Sequence, residues 1–102
     1  MIGLIEEKRD ALVPLCRKYR VRRLDLFGSA ATGEFRPEGS DLDFLVEFEA
    51  ESPMGPFRQY IGFLEELKEL FGCEVDLVEA PVMKNPYLIK AVDATRVRLY
   101  AA

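Results

Sequence analysis

The chain has 102 residues, 49% of them hydrophobic, with 14 basic and 18 acidic side chains and a formal net charge of −4. Length and apolar share suit one domain, residues 1–102, with a real core, and the acidic balance argues against duplex DNA held through its phosphates. Histidine is absent, which removes the commonest general base and the usual zinc ligands and leaves carboxylates, hydroxyls, basic side chains and any bound metal to carry chemistry.

No apolar run approaches the roughly 20 residues of a membrane span. The first ten residues carry Glu6, Glu7, Lys8 and Arg9, which is not the pattern of a signal peptide. Cys16 and Cys73 lie far apart without metal-ligand spacing, so two reduced thiols and a cytoplasmic location are expected.

Residues 4–19 read as a helix, with Leu4, Ala11, Leu12, Leu15 and Tyr19 at helical spacing. Pro14 lies inside it, and an interior proline loses a hydrogen bond and crowds the preceding turn, so a kink or two short helices joined at Val13 are expected. Arg17, Lys18, Arg20, Arg22 and Arg23 crowd the next stretch. They read first as favourable charge at a helix C-terminus and a solvated strand start, and second as a phosphate- or partner-facing patch. Residues 21–27 read as a strand stopped by Gly28. Ala30, Ala31 and Thr32 suit a short helical turn, and 34–40, with Pro37 and Gly39, reads as loop. With Phe35 as its one large apolar anchor, the 30–40 segment is expected to be mobile when nothing is bound to it.

Residues 41–48 are the clearest strand. A helix follows from Pro56 to Phe71, with Pro56 at its first position and Gly72 closing it. Phe57, Tyr60, Ile61, Leu64, Leu67, Leu70 and Phe71 form its apolar stripe. Residues 74–79 read as a third strand, 86–95 as a helix capped by Asn85, and 97–100 as a short terminal strand. Alternating helices and strands predict an α/β (α+β) domain with a small mixed β-sheet flanked by helices. The helical crossover between 41–48 and 74–79 favours parallel pairing of those strands.

The chemistry is concentrated at strand ends. Gly28-Ser29 closes one strand, and after eleven intervening residues Asp41-Leu42-Asp43 opens the next. Alternate side chains of a strand share a face, so Asp41 and Asp43 project together while Leu42, Phe44, Val46 and Phe48 point into a core. Asp76 lies in a third strand. Carboxylates so grouped suit magnesium, and a Gly-Ser turn can hold the phosphates the metal neutralises. Each part alone is ordinary turn or strand-edge material; the conjunction is what points to phosphate chemistry. Asp25 shares its face with Phe27 and reads as structural. Glu47 lies on the Asp41/Asp43 face but roughly 7 Å farther along for each two residues, too far for the same ion.

The stretch Leu26-Phe27-Gly28-Ser29-Ala30-Ala31-Thr32-Gly33-Glu34, with Ser40-Asp41-Leu42-Asp43-Phe44-Leu45-Val46, resembles the minimal nucleotidyltransferase family of the DNA polymerase β-like nucleotidyltransferases. The likeness extends over nearly the whole chain. The interval between Gly-Ser and D-x-D is a residue longer than is usual in that family, and the loop can absorb the difference.

The resemblance implies triphosphate binding at Gly28, Ser29 and Ser40, and magnesium binding, with two ions, at Asp41, Asp43 and Asp76, the last beside the nucleophile. It implies an antitoxin that transfers AMP from ATP to a tyrosine of a HEPN-type toxin, in a homo- or hetero-oligomer. Two other readings stand beside it: an antitoxin that silences its toxin by occlusion, and a nucleotidyltransferase acting on a small molecule.

Overall fold

The computed structural model describes residues 3–32, 41–50, 52–80 and 86–102. Eight elements follow in chain order: α1 (Gly3–Lys18), β1 (Val21–Phe27), α2 (Ser29–Thr32), β2 (Leu42–Phe48), α3 (Pro56–Phe71), β3 (Val75–Glu79), α4 (Pro86–Thr95) and β4 (Val97–Ala101). The strands form one sheet in the order β3-β2-β1-β4. β1 pairs antiparallel with β2 and with β4, whereas β2 and β3 are parallel, as a helical crossover between them requires. The loop expected at 34–40, the mobility expected of it, Ser40 and the Asn85 cap lie outside the described residues.

The sheet is apolar on both faces. On one, Leu24, Leu26, Leu42, Phe44, Val46, Val75, Leu77 and Leu99 pack against Ile5, Leu12, Cys16 and Tyr19 of the α1 region and Phe63, Leu67 and Phe71 of α3. On the other, Phe27 and Leu45 meet Val92 of α4, with Val78 and Ala80 alongside. The period of two in β2 accomplishes this split: Leu42, Phe44 and Val46 take one side, Asp43 and Leu45 the other.

Two expectations about helices are corrected. α1 is one helix through Pro14, not two. Pro14 and Asp10, whose carbonyl loses its hydrogen bond, are both exposed, so water can satisfy the freed carbonyl while the opposite side stays packed. The packed side is Ile5, Leu12, Cys16 and Tyr19; Ala11 is exposed and Leu15 half-buried, and the side chain of Leu4 lies outside the described set. In α3 the buried positions are Gln59, Phe63, Leu67 and Phe71, while Phe57 is 79% and Ile61 37% exposed. Gln59 belongs inside because its amide donates to the Tyr19 carbonyl at 2.8 Å, joining α3 to the end of α1. α3 stops at Gly72, which is left-handed (φ 66°) and donates its N–H to the Lys68 carbonyl.

The basic stretch is largely ion-paired. Lys18 meets Glu66 at 2.8 Å, Arg22 and Arg23 meet Glu47 at 3.6 and 3.7 Å, and Arg20 reaches Glu49 at 4.0 Å. Exposed pairs of this kind contribute little stability. No described helix is long and apolar enough to cross a membrane.

Candidate active site

Register brings the acids together. Asp43 of β2 pairs with Asp76 of β3, and in-register residues of neighbouring strands point to the same face. That face also carries Phe27, the β1 partner of Asp43. Asp41 stands immediately before β2, exposed, where the Leu42 N–H donates to the Glu74 carbonyl at 3.0 Å and ties the starts of β2 and β3 together. Asp43 is partly buried and Asp76 exposed.

Burial, then the charges of Asp76 and Asp41, push the Asp43 carboxyl from 3.8 up to about 6. The three carboxylates make no ion pair among the described residues, so their mutual repulsion is uncompensated. The same charge reaches Cys73, whose thiol is raised by burial, Asp41 and Glu74.

Gly28 faces this cluster. An ideal Cβ on it would stand 2.5 Å from Asp43 Oδ2, and its φ of +73° lies in the left-handed region. Only glycine meets both conditions without displacement. Ser29 follows, half-buried, as the first residue of α2. The Gly28 carbonyl accepts from the N–H groups of Ala31 and Thr32 at 3.1 and 3.3 Å, and its N–H donates to Thr95 Oγ1 at 3.0 Å.

The donor set is oxygen-only, anionic and gathered at one rim, the chemistry that hard divalent cations require. Among the described residues no three such side chains already converge to metal-ligating distance. Asp41 and Asp76 are exposed, and rotation of their side chains is the adjustment that coordination would require.

Other acids are engaged elsewhere. Asp25 is 3% exposed and is held by Arg98 Nε at 2.6 Å and Arg96 Nε at 3.6 Å. Glu47 is taken by Arg22 and Arg23. A cavity of about 590 Å³ between α1 and α3, lined by Ala11, Pro14, Leu15 and Leu70 among others, includes none of these acids.

Two residues of the surroundings escaped sequence reasoning. Tyr60, counted as part of an apolar stripe, donates its hydroxyl to the Leu77 carbonyl at 2.5 Å, tying the outer edge of the Asp76 strand to α3. Its hydroxyl is raised by burial and by Asp76 and Glu79. Thr95 carries no local signal, since its partner is 67 residues away.

A family model described as "Nucleotidyltransferase domain" matches residues 9–98. A relative from Methanocaldococcus jannaschii, named provisionally as a protein adenylyltransferase, is 40% identical over 76 residues, 74% of each chain. Protein adenylyltransferase MntA of Thermococcus cleftensis is 39% identical over 71 residues, 70% of this chain and 68% of that one. A solved structure described as a provisional minimal nucleotidyltransferase superposes with a TM-score of 0.77 at 32% identity, covering 94% of this chain and 95% of its own. A chain from the complex of a tri-AMPylated Shewanella oneidensis HEPN toxin with an MNT antitoxin superposes at 0.64 with 17% identity, covering 95% of this chain and 72% of that one; that likeness concerns the fold.

Proposed function

The chain belongs to the nucleotidyltransferase domain family, and on that premise we propose that it is the antitoxin of a two-component pair, a protein adenylyltransferase that moves AMP from ATP to a tyrosine of a HEPN-type toxin. The observation that carries the reading is the pairing of Asp43 with Asp76, with Asp41 beside them and Gly28 packed closely against the Asp43 carboxylate.

Asp41, Asp43 and Asp76 are the residues that would hold magnesium, two ions in the full site, which when bound neutralises the leaving pyrophosphate and activates the attacking hydroxyl. Gly28 leaves the backbone open to a phosphate, and Ser29 and Ser40 offer hydroxyls to the outer phosphates. Asp76 lies on β3, an edge strand, and is exposed. Its carboxylate can take the proton of an acceptor hydroxyl arriving from solvent. The acceptor oxygen bonds to the α-phosphorus of ATP, the bond from that phosphorus to the bridging oxygen breaks, and pyrophosphate departs.

The test is incubation of the chain with α-labelled ATP, magnesium and the HEPN-type partner. Label is expected on the partner with the parent chain and absent with Asp41→Asn/Asp43→Asn. Equal neutralisation of the toxin by both, without label in either, would replace catalysis by occlusion.

A further inference from the structure

We infer that Thr95 is a positioning residue for the nucleotide: its hydroxyl fixes the Gly28–Ser29 turn against Asp43 and so sets the affinity for the triphosphate. The inference rests on the nucleotidyltransferase reading and adds a residue that this reading leaves unassigned.

β1 and β4 run antiparallel with Leu26 opposite Val97. Continuing that register would set Gly28 opposite Thr95. There, however, the chain has already become the last residue of α4, and the next N–H, of Arg96, donates to the Val92 carbonyl at 2.8 Å. The ladder has therefore ended where Gly28 still presents a backbone N–H. Thr95 Oγ1 accepts that N–H at 3.0 Å, a side chain taking the place of a strand carbonyl.

The consequence falls on the site. With its N–H held by Thr95 and its carbonyl by Ala31 and Thr32, Gly28 is fixed on both sides. Its Cα is set so closely against Asp43 that a Cβ would touch the carboxylate. The Ser29 N–H and hydroxyl follow from the same turn. Loss of the Thr95 acceptor leaves the Gly28 N–H without this partner and lets the turn move relative to Asp43. A typical intramolecular hydrogen bond corresponds to about a fivefold change in an equilibrium constant.

The experiment measures calorimetric binding of AMP-PNP with magnesium to the parent, Thr95→Val, Thr95→Ser and Asp43→Asn chains. Amide hydrogen exchange at Gly28 is followed in each. Thr95→Val keeps shape and removes the acceptor; Thr95→Ser keeps the acceptor. The expected result is a Kd raised about fivefold or more in Thr95→Val with full stoichiometry and faster exchange at Gly28, and a Kd near the parent's in Thr95→Ser. A merely structural role would lower the stoichiometry of binding-competent protein and leave its Kd alone; that result overturns the proposal. So does a parental Kd in Thr95→Val while Asp43→Asn loses binding, an outcome that spares the nucleotidyltransferase reading. Should Thr95→Val fail to fold, the comparison passes to Thr95→Ser and Thr95→Ala, and equal Kd values for those two overturn it. Absence of binding by the parent itself overturns both readings.

Discussion

At Asp43 the raised carboxyl links site chemistry to stability. Its value in the folded chain is about 6, against an ordinary 3.8. Between those values the folded state binds more protons than the unfolded state, so this group's contribution is fully present below pH ~4 and is lost as pH rises through about 6. Without magnesium, Asp43→Asn is therefore expected to melt above the parent at pH 8, with the gap closing by pH ~4. Thermal melts in chelator across that range check this, and a gap that does not change with pH would contradict it. Gly28→Ala should act in the opposite direction. The added Cβ meets Asp43 Oδ2 at 2.5 Å in a left-handed backbone, and the left-handed term alone costs about 1–2 kcal/mol. Urea unfolding should show at least that loss, together with weakened nucleotide binding. These residues were legible in the sequence because their signal is local: a glycine after an apolar run, and two acids at strand spacing. Thr95 was not, because its importance arises only when β4 begins at Val97, two residues after the position opposite Gly28.

At the scale of elements, the helices were legible in extent and in much of their facing: Leu12, Tyr19, Leu67 and Phe71 are in the core and Leu15, Tyr60, Leu64 and Leu70 pack against it, whereas Phe63 was missed and Phe57 and Ile61 are exposed. Pro14 suggested a kink or two short helices; α1 is one helix that continues through it, because the proline lies on an exposed side while Leu12 and Cys16 hold the buried one. Pro14→Ala restores an N–H for the Asp10 carbonyl, and a gain of about 1–3 kcal/mol is expected; unchanged or lower stability in chemical denaturation would count against an unbroken α1. In α3, aromatic and aliphatic residues occupy more than half the helix circumference, and periodicity alone cannot choose which arc meets the sheet. The structure chooses Phe63, Leu67 and Phe71. Phe63→Ala should cost about 3–5 kcal/mol, whereas Phe57→Ser should stay within about 0.5 kcal/mol. Similar losses for the two in matched denaturation curves would reverse the assigned facing.

For the molecule as a whole, topology assembles the site. Asp43 and Asp76 are 33 residues apart in sequence and become neighbours because α3 returns the chain to run parallel to β2. That pairing was foreseeable from the helical crossover. The full strand order was not, since nothing local requires β4 to pair beside β1 on the side away from β2. The fold also keeps the apolar packing of α1 and α3 on one face and the acids on the other. Neutralising the acids should therefore remove chemistry without removing the scaffold. The most direct test is intact-mass analysis of the proposed HEPN-type partner after incubation with ATP and magnesium, in parallel with the parent chain and with a folded Asp41→Asn/Asp43→Asn variant. The partner is expected to gain the mass of AMP with the parent, and none with the variant even though the variant still binds it. A partner that is neutralised with no added mass, to the same extent by both chains, would contradict this.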